Sequence, residues 1–525
     1  MFVCVCCFVL SLFCAAFPHF ARKKMHYRRC IPVRRLHVLN QRFSQQQHAP
    51  AAGAPVLPFA KMPGPRRIPL LGMLNDIMQL GKPAELHLRI SKYHEQYGDL
   101  VRLQIGAQNA VFVRDPQLMR KTFQLEGAHP RHPLPESWTY FNKKYQYQRG
   151  LFFMDGQEWL QARQLFNKPM LRDYQWMEDP IRGTCEATVA QIKQRTNNTT
   201  LDGMEAFLYK WSVEVVLSVM LGETFAKCQQ SAEFRALVER FSNVVYDIFR
   251  CSSELMNIPP ALADRLNVQP WQQFEKVVPE TIRLATAIID HGMEHSRQET
   301  QDGLLKLMVQ KLDKSVMMRI FIDFIIAAGD TTAFATIWAL YLLACNQDMQ
   351  QTVRAAVLES DGLECSAVKG VVRETLRLYP VAPFIGRFIE HDSSFGEYAL
   401  PKDTLVLLSL YSAGRDERFF TDPEQFNPYR WQRGEVANRP ASGSNTPSAS
   451  LPFAIGARSC IGQKIAQLQM HYLLSMILKN FELTIGGKQQ EQQQQQLQID
   501  TIKPILKMIT VPNKPVKVCF RAIQN

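Results

Sequence analysis

Paired cysteines are absent from most of this sequence, although it contains 12 cysteines in 525 residues. Seven of them lie between Cys185 and Cys519, and none of these forms a C-x-x-C pair. This spacing excludes a disulfide framework and a cysteine-rich zinc site. We therefore expect a reduced protein in which most cysteines are ordinary core residues.

Acidic residues are also absent from the start of the chain, where the first one is Asp76. Eleven Lys or Arg residues lie from Arg22 to Arg67. The rest of the chain therefore has 50 of the 61 basic residues and all 48 acidic residues. Its net charge is +2, whereas that of the whole chain is +13. The positive charge therefore belongs to the leader and does not indicate a nucleic-acid partner.

The leader itself begins with an apolar run over residues 1–17, which is at the short limit for spanning a bilayer. An Arg-rich, acid-free segment follows it and predicts a mitochondrial transit peptide over residues 1–60. The alternative is a signal-anchor in the endoplasmic reticulum membrane, with the basic cluster on the cytosolic side. The Pro-rich segment KMPGPRRIPLLG (61–72) predicts a hinge, and no later break in composition divides residues 73–525.

The sequence beyond the hinge has a mainly helical pattern. RALVERFSNVVYDIFRC carries apolar residues at three- and four-residue spacing, whereas DTLVLLSLY is typical of a strand. We expect one domain that is mostly α with small β-sheets. Such a domain can bury a large planar cofactor between its helices.

Two charged motifs stand out in the second half of the chain. RETLRLYP places Glu374 and Arg377 one helical turn apart in an otherwise apolar helix, so this pair needs further partners if it is buried. Arg430 in FNPYRW is a candidate, because its rigid guanidinium can donate two hydrogen bonds to one carboxylate.

A third motif places Asp330 and Thr331 in the middle of a long apolar helix, FIDFIIAAGDTTAFATIWALYLL (321–343). Polar groups in such a helix cost free energy unless they are hydrogen-bonded. The pattern fits either a helix kink with a polar spine or a groove that binds a small polar group or relays protons.

The fourth motif is PFAIGARSCIG (452–462), which sets one cysteine, Cys460, between glycines with no neighbouring Cys or His. A hydrolase with a cysteine nucleophile would need a histidine partner, and none lies in these motifs. In this order and spacing the four motifs resemble the cytochrome P-450 family of haem-thiolate monooxygenases, from about Pro63 to the C-terminus. The resemblance implies the cytochrome P-450 fold, with haem b buried between helices.

The resemblance implies that Cys460 is the thiolate ligand of the haem iron. Gly456 and Gly462 would let the loop pass close under the ring, and Phe453 would shield the sulfur. The segment WLQAR resembles the family's W-x-x-x-R motif. Contacts to the haem propionates are implied for four residues: Trp159, Arg163, Arg387 and Arg458.

The family pattern also implies roles for the other motifs. Glu374, Arg377 and Arg430 would form a structural triad that fixes the haem-binding loop. Asp330 and Thr331 would be the acid and the alcohol that deliver protons during oxygen activation.

The stretch from Gly127 to Arg163 is similar to the mitochondrial branch of the family, which agrees with the transit-like leader. This branch implies a ferredoxin with its reductase as electron donors, and peripheral association with the matrix side of the inner membrane. The ferredoxin-docking patch would contain Lys369, Arg373 and Lys464.

Branch members hydroxylate sterols, secosteroids and ecdysteroids, so the resemblance implies a steroid-like apolar substrate. The expectation is 2-hydroxylation of an ecdysteroid precursor in moulting hormone biosynthesis. Alternatives are a monooxygenase of xenobiotics or fatty acids, or a haem-binding sensor that would need neither Asp330 nor Thr331. The expected pocket walls are Trp138, Tyr140, Phe324, Ala327 and residues 381–384.

Overall fold

The computed structural model describes residues 56–66, 80–105, 108–196, 198–256, 258–296, 303–360, 365–432, 446–486 and 502–523. The predicted transit peptide therefore lies outside the described residues up to residue 55. The described chain is mostly helical with small sheets, as predicted.

The helices, in chain order, are α1 (Leu86–Tyr97), α2 (Pro116–Gln124), α3 (Glu136–Tyr145), α4 (Gly156–Asn167), α5 (Glu178–Thr196), α6 (Met204–Leu221), α7 (Glu223–Cys228), α8 (Ala232–Leu255), α9 (Pro260–Arg265), α10 (Gln269–Ser296), α11 (Leu304–Lys311), α12 (Lys314–Cys345), α13 (Gln347–Glu359), α14 (Ser366–Leu378), α15 (Leu410–Ala413) and α16 (Gln463–Asn480).

The strands are β1 (Leu100–Ile105), β2 (Gln108–Val113), β3 (Phe384–Phe388), β4 (Ser393–Phe395), β5 (Tyr398–Leu400), β6 (Leu405–Ser409), β7 (Phe481–Ile485), β8 (Pro504–Lys507), β9 (Ile509–Pro512) and β10 (Val518–Ala522). A four-stranded sheet has the order β1-β2-β6-β3, with a parallel β2–β6 pair between two antiparallel pairs. The remaining strands form the antiparallel pairs β4–β5, β7–β10 and β8–β9.

Helix α12 runs through the centre of the helical part and packs against α6, α8, α10, α14 and α16. Because its sequence is apolar on nearly every side, it is stable only when surrounded by other elements. Among the described residues it is the one helix long and apolar enough to cross a membrane, but 78% of its most apolar window is buried inside the protein. It is therefore the core helix along which the site is built.

The start of the described chain packs onto the sheets. Leu57 forms a bridge with Tyr398 of β5, and Met62 is 2% exposed in the core beside β2 and β6. Part of the predicted hinge at 61–72 is thus fixed against the folded body, because an apolar side chain anchors it. Residues 67–79 lie outside the described part of the chain, so the rest of the predicted hinge is not described.

Candidate active site

The loop before α16 holds Cys460 in a folded-back conformation. The backbone N–H of Cys460 donates a hydrogen bond to the Phe453 carbonyl oxygen at 2.9 Å. Gly456 has a φ of +83°, in the left-handed region, and a Cβ there would lie 2.9 Å from Oε2 of Glu126. Gly462 has a φ of −84°, so its backbone does not require glycine, although a Cβ there would lie 4.0 Å from Cys460 Sγ.

Positive charge lies close to Cys460. The cysteine is half-buried and comes three residues before α16 begins at Gln463, where the helix dipole stabilises negative charge. The Arg163 guanidinium donates to the Ser459 carbonyl oxygen at 2.7 Å, which brings a cation beside the cysteine. Cys460 therefore has the electropositive, partly open setting of a reactive or metal-binding thiol.

Two cavities meet at Cys460. One, the charged cavity of about 630 Å³, has three arginines, Arg163, Arg387 and Arg458, among otherwise mostly apolar lining residues. The other, of about 820 Å³, is mainly apolar and has Thr331 of α12 on its wall. The thiol and the centre of α12 thus line the same space, although they are far apart in the sequence.

The charged cavity has more positive than negative groups. Arg387 Nε donates to Glu126 Oε1 at 2.6 Å, and Arg458 Nη2 donates to Asp155 Oδ1 at 2.7 Å, but Asp155 is 61% exposed. Arg387 Nη2 and Arg458 Nε are buried and have no hydrogen-bond partner within the described chain. Together with Arg163, they form a site that favours an anionic ligand.

Burial acts on the ionisation of these groups. It lowers the pKa of both Arg163 and Arg458 to about 10, which leaves the two guanidinium groups charged at neutral pH. Burial, assisted by Arg458 and Arg387, lowers the pKa of His132 well below its ordinary value. His132 is therefore neutral. The Arg458 guanidinium also lies 4.3 Å from the ring centroid of Trp159.

His132 is a residue of this cavity that the sequence reasoning missed. Both of its ring nitrogens are buried, and neither has a hydrogen-bond partner among the residues that the structure describes. It follows Arg131 in the segment PRHP, inside the stretch from Gly127 to Arg163 that resembles the mitochondrial branch. Glu126, the partner of Arg387, lies in no recognisable motif.

Glu374 of α14 is the centre of a fully buried network. Arg377 donates to both of its oxygens, from Nε at 2.9 Å and from Nη2 at 2.7 Å, and Arg430 Nε donates at 2.9 Å. The Trp431 indole N–H and the Asn427 backbone N–H add bonds of 3.0 Å each. Five hydrogen bonds therefore satisfy the carboxylate, as a buried charge requires. The predicted contacts of Glu374, Arg377 and Arg430 are present, and Trp431 and Asn427 are additional partners.

The middle of α12 carries a carboxyl group that is not satisfied in this way. Asp330 is 8% exposed, and its Oδ1 has no hydrogen-bond partner among the described residues. Burial raises the pKa of Asp330 to about 8, although the nearby Tyr209 hydroxyl acts in the opposite direction. At neutral pH Asp330 is therefore mostly protonated and can act as a proton donor.

Thr331 beside it donates its hydroxyl hydrogen to the Ala327 carbonyl oxygen at 2.8 Å. This bond to the preceding turn satisfies the hydroxyl, and α12 is assigned as one continuous helix through this point. Of the two possibilities for the motif, the groove has support, because Thr331 lies on the wall of the apolar cavity, and the kink stays a possibility.

Three cations predicted for a docking patch also come together. Lys369, Arg373 and Lys464 all act on the buried His471 of α16, whose pKa is lowered to about 3 by burial and then by these charges. Arg373 is exposed, and Lys464 Nζ lies 4.5 Å from the ring centroid of Tyr174. They form one basic surface where α14 and α16 meet.

The expected pocket walls are only partly as predicted. Trp138, Phe324 and Ala327 line cavities beside α12. Tyr140 is not found on the wall of any cavity described here, because its hydroxyl donates to Asp264 Oδ2 at 2.8 Å. Trp138 thus lines a cavity, whereas Tyr140, two residues later on α3, packs against Trp271.

A profile of the cytochrome P450 family matches residues 62–520. The chain belongs to the cytochrome P450 family. The predicted family, fold and enzyme class are confirmed, and this cytochrome P450 is a haem-thiolate monooxygenase whose iron is ligated by a cysteine. The site fits that cofactor, since buried donors without partners face a cavity that also contains a thiol.

Several relatives of this cytochrome P450 are named as mitochondrial proteins. It is 37% identical to cytochrome P450 315a1, mitochondrial, from Drosophila melanogaster over 501 residues, which cover 92% of each chain. It is 28% identical to the mitochondrial 1,25-dihydroxyvitamin D(3) 24-hydroxylase of Mus musculus, over 80% of this chain and 83% of the relative. It is 27% identical to the mitochondrial cholesterol side-chain cleavage enzyme of Oncorhynchus mykiss, over 92% of this chain and 94% of the relative. The chain is therefore a monooxygenase of the mitochondrial type.

Proposed function

We propose that this monooxygenase hydroxylates an ecdysteroid precursor at carbon 2 in moulting hormone biosynthesis. It would act on the matrix side of the mitochondrial inner membrane with electrons from a ferredoxin and its reductase. One observation carries the catalytic part of the proposal: Cys460 and Thr331 line one cavity, and Thr331 is adjacent to a protonated Asp330.

In this proposal Cys460 is the iron ligand, and four residues bind the propionates: Trp159, Arg163, Arg387 and Arg458. The buried and unsatisfied nitrogens of Arg387, Arg458 and His132 support this assignment, since an anionic group would give them partners. Phe453 fixes the cysteine loop through the hydrogen bond from Cys460 N. When bound, the haem-thiolate group supplies the chemistry that activates dioxygen and inserts one oxygen atom into a C–H bond.

In this proposal Asp330 and Thr331 of α12 deliver protons to the shared cavity. Asp330 holds a proton on its carboxyl group at neutral pH, because burial disfavours the ionised form. Thr331 presents a hydroxyl to the shared cavity and can relay a proton when it releases the Ala327 carbonyl. A sensor without catalysis has no use for a protonated acid at this position.

The substrate proposal is supported by the apolar character of the space beside α12 and by the insect relative. A further cavity, of about 550 Å³, combines Trp138, Phe153 and Ile326 with Asp330 and Thr331. Such walls suit a rigid polycycle but also accept a fatty acid or a xenobiotic. A Drosophila cytochrome P450 is among the relatives, and the resemblance of the sequence to the ecdysteroid-hydroxylating members of the mitochondrial branch favours the ecdysteroid.

The ferredoxin proposal is supported by local charge. With the leader set aside, the chain is nearly neutral, so an acidic partner would need a local basic surface. Lys369, Arg373 and Lys464 supply one around His471. Lys369 and Arg373 belong to α14, which also carries Glu374. Lys464 belongs to α16, which begins just after Cys460.

The test is a spectral titration of the purified ferric protein with ecdysteroid precursors, other steroids, fatty acids and xenobiotics, followed by product analysis. We expect saturable Soret shifts with ecdysteroid precursors and one 2-hydroxylated product when ferredoxin, its reductase and NADPH are supplied. Shifts with fatty acids alone would overturn the substrate proposal. Thr331→Ala, with intact haem, should consume reductant without forming product, whereas unchanged behaviour would favour the sensor.

A further inference from the structure

A buried ion pair stands in the wall between two cavities on the α12 side. Arg149 and Asp323 are joined through Asp323 Oδ1, and their side chains are only 9% and 2% exposed. The Arg149 guanidinium lies 4.2 Å from the ring centroid of Trp138 and 4.8 Å from that of Phe153. Two aromatic rings therefore hold the cation in place.

The pair leaves one carboxylate oxygen unused. Both Arg149 Nε, at 2.9 Å, and Arg149 Nη2 donate to the same Asp323 atom, Oδ1. Asp323 Oδ2 is buried and has no hydrogen-bond partner among the described residues. A buried polar oxygen without a partner is costly unless something else donates to it. The site therefore lacks a donor.

The position of the pair suggests which molecule supplies that donor. Arg149 and Asp323 line the 550 Å³ cavity that also contains Asp330 and Thr331. Asp323 precedes Asp330 by seven residues, which is two turns of α12, so both lie on one face about 10 Å apart. A rigid molecule with one end at Thr331 can reach Asp323 with the other.

The adjoining cavity, of about 690 Å³, shares Trp138, Arg149 and Ile326 with the first. Asn142 lines it and also has a buried carbonyl oxygen, Oδ1, without a partner in the described chain. Both unsatisfied atoms are hydrogen-bond acceptors. The adjoining cavity also contains Arg319 Nε, a buried donor without a partner in the described chain, so the selection for a donor in the ligand lies at Asp323 Oδ2.

We propose that Asp323, oriented by Arg149, binds a hydroxyl group of the substrate that is remote from the carbon to be oxidised. The hydroxyl donates to Asp323 Oδ2, and a ketone or an ether at the same place has no hydrogen to donate. The steroid class of the substrate rests on the proposed function, whereas the preference for a hydroxyl rests on the ion pair.

The test uses matched ecdysteroid precursors that differ in one remote hydroxyl, which is present, absent or oxidised to a ketone. Their Kd values come from Soret titrations of the haem-loaded protein. In the wild type we expect the hydroxylated compound to bind about 10- to 100-fold more tightly than either analogue, since the acceptor belongs to a buried ion pair. In Asp323→Asn we expect this preference to fall to a few-fold.

A second variant keeps the test decisive if Asp323→Asn does not fold. Arg149→Met combined with Asp323→Leu replaces the pair by apolar groups of similar size, which is often neutral or stabilising for a buried pair. We expect it to bind the deoxy analogue at least as tightly as the hydroxylated one. Asp99→Asn is the matched control, because Asp99 also pairs with an arginine, the half-buried Arg114, but lines none of the cavities described above. It should keep the wild-type preference.

The outcomes separate this inference from the proposed function. If ecdysteroids bind and are hydroxylated but the double variant keeps the wild-type preference, the subsite is wrong and the proposed function stands. If no steroid binds, the proposed function fails, and matched hydroxylated and plain fatty acids are compared in the same proteins. If the wild type then prefers the hydroxylated fatty acid and the double variant does not, the subsite is supported. If the wild type and the double variant show the same preference, the subsite is overturned.

Discussion

Buried carboxyl groups are satisfied differently around two helices: α14 and its neighbours, the α14 side, and α12 and the cavities beside it, the α12 side. On the α14 side, Glu374 accepts five hydrogen bonds, so both of its carboxylate oxygens are fully satisfied. On the α12 side, Asp330 Oδ1 and Asp323 Oδ2 have no partners within the described residues. A saturated carboxylate holds a scaffold together, whereas an unsatisfied one is available for protons or for a ligand.

Energetics follow from this difference. Removing a partner from a saturated buried network leaves other charges uncompensated, which destabilises the fold. Neutralising a buried acid that lacks partners removes a desolvation cost, which stabilises the fold and costs function instead. Substitutions at Glu374 and at Asp330 should therefore change stability in opposite directions, whereas Asp323 is paired with Arg149 and does not follow this rule.

The largest effect is expected at Cys460, where the two sides meet. Cys460→Ser should reduce turnover by more than about 10³-fold, because the iron loses its thiolate ligand. The reduced carbon monoxide difference spectrum should lose its thiolate-type Soret band. Cys365→Ser is the control, since Cys365 is buried before α14 and lines none of the cavities described above. A thiolate-type band that survives in Cys460→Ser would refute the assignment.

The next largest effect is expected at Glu374. Glu374→Gln leaves Arg377 and Arg430 facing a neutral group, so we expect a loss of about 3–5 kcal/mol in unfolding free energy together with loss of bound haem. Chemical denaturation and a haem assay measure these changes. Asp173→Asn, at a pair with both side chains more than half exposed, should stay within about 1 kcal/mol of the wild type. Equal stability of the two variants would show that the network is not a scaffold.

The smallest effect is expected on the α14 surface, where charge acts on a partner. Lys369→Glu with Arg373→Glu should lower ferredoxin-supported turnover by about 10-fold at low ionic strength, and less at high salt. Haem content and substrate Kd should not change. Lys306→Glu with Lys311→Glu makes the same charge change on exposed residues of α11 and should have little effect. Turnover that is lowered equally by both pairs would count against a specific patch.

The sequence predicted the α14 side better than the α12 side, for a physical reason. Glu374, Arg377 and Arg430 lie in short motifs, and a helical turn already places the first two together. The pairing of Arg149 with Asp323 joins residues 174 positions apart, and that of Arg387 with Glu126 joins residues 261 apart. Such contacts depend on how loops pack against α12 and β3, which local patterns do not encode.

The same limit applies within the motifs. The segment FNPYRW indicated Arg430, but the bonds to Glu374 from Trp431 and from the backbone of Asn427 depend on the local turn. Tyr140 and Trp138 are two residues apart on α3, and only the structure shows which of them lines a cavity. The helical pattern predicted the fold class, whereas cavity walls required tertiary packing.

The most direct test of the contrast between the two sides is the stability of Asp330→Asn as a function of pH. The pKa of Asp330 is raised from 3.8 to about 8, so the wild type has its full stability from this group below pH 3.8 and loses it as pH rises towards 8. The variant lacks this loss. We expect its advantage in unfolding free energy to grow by up to roughly 1.4 kcal/mol per pH unit across this window and then to level off.

Turnover of Asp330→Asn, measured on the same haem-loaded samples, should fall by about 10²-fold, because the proton donor is gone. A variant that is more stable than the wild type at pH 7 but less active is the result that the contrast predicts. A variant that is less stable at every pH, as expected for Glu374→Gln, would contradict it.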